Sequence, residues 1–160
     1  MNLQREKAAD IDLEFTVDFE NIGFADNTAN KNCYNPMICC DEHRIMQVLQ
    51  AIQANALKFT QKGKVETVVS VDHKEKGEHF LKISVKDTGI GIPDENKGKL
   101  FKLFGFMENT KENKVNQNGI GLGLVIAQMI VKQYDGTVEF ESTHGKGSCF
   151  TFTFKIKAPY

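Results

Sequence analysis

The stretch Leu81-Lys82-Ile83-Ser84-Val85-Lys86-Asp87-Thr88-Gly89-Ile90-Gly91 holds a strand and the point where its inward face turns polar. Leu81, Ile83 and Val85 alternate with Lys82, Ser84 and Lys86, the period of a half-buried strand. Asp87 continues the apolar phase, so its carboxylate points inward at the strand's end, where an unpaired charge is expensive. Two readings stay open. Asp-Thr-Gly-Ile-Gly is good turn chemistry, in which Asp87 is only a cap; alternatively Asp87 accepts from an exocyclic amine such as that of adenine, with Gly89 and Gly91 letting backbone approach the ligand closely.

Working outward, Val65, Thr67, Val69 and Val71 form a second alternating run, joined to the first by a polar turn over residues 74–78, which predicts an antiparallel hairpin. Upstream, Ile45, Val48, Leu49, Ile52, Ala56 and Phe59 recur at three- and four-residue intervals. They predict a core-facing helix over 42–59, capped by Asp41 and stopped at Gln61-Lys62-Gly63. Residues 11–19 alternate as another strand, and residues 20–35 read as an irregular loop. Downstream, residues 93–118 lose all period over a length too great for an ordinary connection, which marks a functional or disordered loop. A second helix is expected over 121–134, ending at Asp135-Gly136. Strands over 137–142 and 148–157 flank the turn His144-Gly145-Lys146-Gly147, with Phe150, Phe152, Phe154 and Ile156 on one face. These helices need an apolar sheet face, so the expected fold class is an α/β two-layer sandwich: a mixed, mostly antiparallel sheet with helices on one face and the other face solvated.

The 160 residues suit one domain, and 41% hydrophobic content with 12 Phe can build a core. Twenty basic residues balance 21 acidic ones, so no overall field draws the chain to nucleic acid or anionic lipid. The first residues lack a signal peptide's apolar run and no stretch is long enough to span a bilayer, which predicts a cytoplasmic segment without direct membrane contact. Cys33, Cys39, Cys40 and Cys149 form no paired C-x-x-C elements and read as reduced thiols. His43, His73, His79 and His144 read as surface or turn residues.

Two further polar features interrupt the apolar pattern. Asn55 lies at the edge of the first helix's stripe, where a neutral amide can offer its oxygen to a hard cation such as nucleotide-bound Mg2+. Lys58, nearly on the same side, either reaches a phosphate or is an ordinary solvated lysine. In Asn118-Gly119-Ile120-Gly121-Leu122-Gly123-Leu124, alternate glycines expose successive N–H groups just before a helix, a combination suited to phosphate. It is not a Walker A sequence.

In this order the segments resemble the ATP-binding catalytic domain of sensor histidine kinases, within the superfamily that also holds gyrase, the Hsp90 chaperones and the MutL proteins. Arg44-Ile45-Met46-Gln47-Val48-Leu49 with Asn55-Ala56-Leu57-Lys58-Phe59-Thr60 resembles the N box, and Asp87 to Ile92 the first glycine box. Leu100-Phe101-Lys102-Leu103-Phe104 resembles the phenylalanine box, Gly119 to Leu124 the second glycine box, and Gly145-Lys146-Gly147-Ser148 the short motif before the last strand. The resemblance implies a Bergerat-type fold over residues 1–160 with an ATP lid at about 96–118. It implies ATP and Mg2+ as cofactors and protein-histidine kinase activity in two-component phosphorelay signalling. Asn55 and Lys58 would be catalytic, with Asn55 on the metal and Lys58 on phosphate. Phe59 would pack on adenine and Asp87 would accept from its amino group. Gly89, Gly91, Ile92, Phe101, Gly119, Gly121, Leu122, Gly123 and Leu124 would complete the nucleotide site.

The resemblance further implies two partners: a dimerisation and phosphoacceptor domain of the parent chain, absent here, and a response-regulator receiver domain downstream. None of the four histidines carries the acceptor motif of such kinases. The parent's membrane anchoring is left open. Two departures bear on activity. Ala51 stands where the family usually has a polar residue, and a methyl group can neither activate water nor bind magnesium. Gln53 interrupts a usually apolar pair. The alternative reading is therefore a degenerate nucleotide-binding or regulatory interaction module with weak or no kinase activity.

Overall fold

The computed structural model describes residues 13–20, 40–73, 78–103 and 122–157. Its elements in chain order are β1 (Leu13–Glu20), α1 (Glu42–Phe59), β2 (Gly63–His73), β3 (His79–Asp87), α2 (Asp94–Lys97), α3 (Leu122–Gln133), β4 (Val138–Thr143) and β5 (Gly147–Ile156). The five strands form one sheet in the order β1-β2-β3-β5-β4. β1 runs parallel to β2, and the other neighbours are antiparallel. A parallel pair cannot be closed by a tight turn, and α1 lies in the connection between β1 and β2.

The two long helices, α1 and α3, pack by their apolar stripes on the same face of the sheet. Val48, Leu49, Ile52 and Ala56 of α1 and Leu124, Ala127, Ile130 and Val131 of α3 join one buried cluster with Val65, Ile83, Val85 and Phe152. The sheet's contribution keeps the period of two, since Leu81, Ile83 and Val85 of β3 register against Phe154, Phe152 and Phe150 of β5. The opposite face is polar in its middle rows, where the Ser84 and Thr151 hydroxyls lie 2.9 Å apart. The expected two-layer arrangement is therefore the observed one. Among the described residues no helix is long and apolar enough to cross a membrane.

Asp41 caps α1 as expected, accepting from the Arg44 N–H at 3.2 Å. That hydrogen bond is the main reason its carboxyl sits below the usual value, and the Tyr134 hydroxyl, donating from just beyond α3 at 3.2 Å, adds to the effect. The two helices are thus tied at one end. Residues 93–118 are not patternless throughout: Asp94–Lys97 forms a short helix after Pro93, where Asp94 pairs with Lys97 at 2.6 Å. The rest of the expected lid from 104 onward lies outside the described residues, as do residues 21–35 of the loop expected over 20–35, whose first residue ends β1, and residues 74–77 of the turn expected over 74–78.

Gln53, unexpected among apolar neighbours, is buried at 2% exposure and donates to the Thr67 hydroxyl of β2 at 3.1 Å. A polar pair in a core is tolerated only when both members are satisfied. Gln53→Leu should therefore lower the unfolding free energy by about 1–3 kcal/mol by stranding Thr67, while adding Thr67→Val should recover most of the loss. Urea midpoints of the two single variants and the double variant measure this.

Candidate functional site

The register of three strands builds the floor of the site. Asp87, the last residue of β3, lies opposite Ser148 of β5, and Ser148 lies opposite Ser142 of β4. All three continue the inward phase of their strands at one end of the sheet. Above them the last turns of α1 leave a cavity of about 280 Å³. Asn55, Ala56 and Phe59 line it from α1, and Asp87, Ile90, Gly91, Ile92 and Pro93 from the end of β3 and the loop that follows. Asn96 and Leu124 contribute from α2 and α3; His144, Ser148 and Phe150 contribute from the β4–β5 hairpin.

Asp87 is 7% exposed, and burial pushes its carboxyl above the usual 3.8. Three groups oppose the shift by favouring the charged form. The Gly89 N–H donates to the carboxylate at 2.9 Å, the Ser148 N–H acts from β5, and the Thr60 hydroxyl faces it from the end of α1. Thr60 is fully buried and makes no hydrogen bond of strict geometry, so its contribution is the weakest of the three. The Gly89 bond is a cap, as the turn reading required. Asp87 is also a lining residue of the cavity, so the two readings of Asp87 are compatible.

The loop after Asp87 is fastened on both sides. The Ile90 N–H donates to the Phe59 carbonyl of α1 at 3.1 Å, and the Ile90 carbonyl accepts from the Gly145 N–H of the hairpin turn at 2.7 Å. The two glycines make this possible. A Cβ at Gly89 would stand 2.3 Å from the Phe59 carbonyl oxygen, and one at Gly91, where φ is +64°, 2.1 Å from that of Thr143. The close approach they permit is first to the protein's own backbone; Gly91 also lines the cavity.

Of the residues singled out by sequence, Asn55, Phe59, Asp87, Gly91, Ile92 and Leu124 line one cavity. Lys58 does not: it is exposed, with its ammonium 5.1 Å from the centroid of the Phe59 ring. Phe101 packs on the core, its ring 5.9 Å from Phe140, which stacks at 5.7 Å on the cavity-lining Phe150. Leu122 and Gly123 form the first turn of α3 away from the lining. Gly119 and Gly121 lie outside the described residues. Position 51 does not line the cavity either; the Ala51 methyl sits 3.6 Å from where a Gly123 Cβ would be.

Sequence reasoning passed over Ser148 and His144. Ser148 was legible by the signal that marked Asp87, because it is polar and in phase with Phe150, Phe152 and Phe154. His144 carries no such signal; it is a turn residue brought to the rim by the Gly145–Ile90 hydrogen bond. Asn55 offers one neutral oxygen on the same wall as Phe59, a donor set that fits a cation carried in mainly by phosphates and water.

Residues 40–158 match the family described as histidine kinase-, DNA gyrase B- and HSP90-like ATPase. The sensor histidine kinase WalK of Bacillus subtilis is 37% identical over 138 residues, which are 86% of this chain and 21% of that protein. The non-motile and phage-resistance protein of Caulobacter vibrioides is 31% identical over 157 residues, 98% of this chain and 17% of that protein. The chain thus spans about a fifth of the length of these relatives. Among solved structures, full-length ShkA in complex with AMPPNP superposes with a TM-score of 0.71 at 26% identity, covering 99% of this chain and 29% of that one. The nucleotide-free catalytic domain of histidine kinase ThkA shares the fold with a TM-score of 0.68 at 24% identity, covering 96% of this chain and 86% of that one.

The raised Asp87 carboxyl sets a pH dependence with a definite sign. Folded Asp87 holds its proton to higher pH than the unfolded residue, so its contribution to stability declines as pH rises from about 3.8 to the higher folded value. Asp87→Asn should remove that decline. Urea midpoints of wild type and variant across this window should converge at low pH and favour the variant at high pH.

Proposed function

The chain belongs to the histidine kinase-, DNA gyrase B- and HSP90-like ATPase family, and on that premise we propose that it binds ATP with magnesium and donates the γ-phosphate to a histidine on a separate dimerisation domain. The setting is two-component phosphorelay signalling, with the parent's own phosphoacceptor domain as immediate partner and a response-regulator receiver domain downstream. Residues 1–160 would then form one catalytic domain, with its lid at about 96–118. The observation that carries this reading is the buried Asp87 carboxylate at the floor of a cavity whose other wall presents Asn55 and Phe59.

Each residue has a task that follows from its position. Asp87 accepts from the adenine amino group, and the backbone donors that favour its charged form also fix its direction. Phe59, Ile92 and Leu124 supply apolar contact to the base. Asn55 would hold magnesium through its amide oxygen, and that ion when bound neutralises charge on the phosphates. Gly119, Gly121, Leu122 and Gly123 would bring backbone N–H groups at the start of α3 to the phosphates. Lys58 reaches a phosphate by swinging away from the Phe59 ring; such exposed cation–π contacts are worth only about 0.5–1 kcal/mol. Phosphoryl transfer is largely positioning and charge stabilisation, so turnover depends on the acceptor domain being presented to this site.

One observation favours the second reading, a degenerate nucleotide-binding or regulatory module: Ala51 is a methyl group packed towards Gly123 where the family resemblance calls for a polar side chain.

Calorimetry with ADP and Mg2+ should show saturable binding; none at millimolar nucleotide would sink the proposal. Asp87→Asn should weaken that binding by about 1.5–3 kcal/mol, the scale for losing a charged acceptor, and an unchanged affinity would reduce Asp87 to a turn cap. Ala51→Asn should strengthen the magnesium-dependent part of binding. An Asn that leaves it unaltered would show that position 51 takes no part in holding the ion.

A further inference from the structure

The hydroxyl of Ser142 has three polar neighbours. The Ile92 N–H lies at 2.8 Å, the Gly147 carbonyl oxygen at 3.1 Å and the Ser148 hydroxyl at 2.9 Å. A serine hydroxyl has one proton to give and two lone pairs with which to receive. The Ile92 amide can only donate, and the Gly147 carbonyl can only accept. One arrangement satisfies all three contacts together: Ser142 donates to Gly147, accepts from Ile92 and accepts from Ser148. The proton of Ser148 is thereby turned towards β4.

This matters because Ser148, unlike Ser142, lines the cavity, and it is the ladder partner of Asp87. With its proton committed to Ser142, the Ser148 oxygen has only a lone pair left to offer the cavity. It stands beside a carboxylate that also only accepts. The polar floor of the cavity then carries two neighbouring acceptors, both 8% exposed or less, so water competes weakly for them. An amino group has two N–H donors to set against two acceptors. A keto oxygen in the same place has none and meets two oxygens.

We propose that Ser142 is a positioning residue for base selectivity: by holding the Ser148 hydroxyl as an acceptor, it makes the cavity floor favour a 6-amino purine over a 6-keto purine. The inference rests on the adenine-nucleotide reading of the site. Ser142 itself touches no ligand. It acts through Ser148 and, by the bond to the Ile92 N–H, holds the loop that forms the adjoining wall.

The experiment compares affinities for ADP and IDP, which differ at the purine edge and share sugar and phosphates. Wild type should prefer ADP. In Ser142→Ala the Ser148 proton is free to turn into the cavity and donate to a keto oxygen, so the ADP-over-IDP ratio should fall by about fivefold, the equivalent of one hydrogen bond. Ser142→Thr, which keeps the hydroxyl, should restore the ratio. In a Ser148→Ala background, Ser142→Ala should leave the ratio unchanged, because the group through which it acts is gone. Thermal melts run in parallel separate out any loss of stability, which a strut without a role in selectivity would also produce. A ratio unaltered by Ser142→Ala, or altered equally in the Ser148→Ala background, overturns the proposal while leaving nucleotide binding intact. Equal wild-type affinity for ADP and IDP overturns it too. Failure of wild type to bind either nucleotide sinks the adenine-nucleotide reading itself.

Discussion

A carboxylate is held inside the protein at the end of β3 by backbone amides, and much of the surrounding structure serves that arrangement. Burying Asp87 raises its carboxyl, and the opposing pull comes first from the N–H groups of Gly89 and Ser148. Such donors work only if their backbone cannot drift. Gly89 lies two residues along the same loop, and Ser148 sits on the neighbouring strand, fixed by the β3–β5 register. The loop is pinned in turn by Ile90 to α1 and to the β4–β5 turn, and by Ile92 to Ser142. Helix, loop and hairpin therefore share a single constraint. A glycine at 89 and another at 91 are the condition for it, because a side chain at either would collide with a carbonyl of the element to be fastened.

On the proposed reading the site has two ends of different character. The base end is formed by strand register and by hydrogen bonds among rigid elements, and such sites hold their polar groups in place before any ligand arrives. The proposed phosphate end would rest on Asn55 and on the first turn of α3, with Lys58 lying over Phe59. Between the two ends the aromatic series Phe101, Phe140 and Phe150 runs from the start of the expected lid to the cavity wall. Phe101 is in this way packed into the same aromatic cluster as the cavity wall.

Much of this was legible in the sequence because burial is periodic. Leu81, Ile83 and Val85 announce a strand, Ile45 through Phe59 announce a helix, and Asp87 stands out because it breaks an apolar phase. Ser148 and Ser142 break theirs in the same way: Ser148 follows the phase of Phe150 and Phe152, and Ser142 that of Val138 and Phe140. What concealed them is that a small hydroxyl in a strand is unremarkable, whereas a buried charge is not. Gln53 was visible as a deviation, but its partner Thr67 lies on another element, and only their contact shows why an amide is stable there.

The sequence by itself determined the order and type of the main elements, the two-layer class and the one inward carboxylate, since each depends on local period and on the cost of burying charge. Beyond the neighbours joined by the two expected turns, which strands lie side by side, and in what register, was decided by tertiary structure. The parallel β1–β2 pair, the insertion of β5 between β3 and β4, and the alignment of Asp87 with Ser148 all join residues distant in the chain. The same holds for His144 at the cavity rim and Ala51 against Gly123. The physical reason is common to all of them: periodicity records which face of an element is buried, but not what lies across from it, and a binding site is made of what lies across.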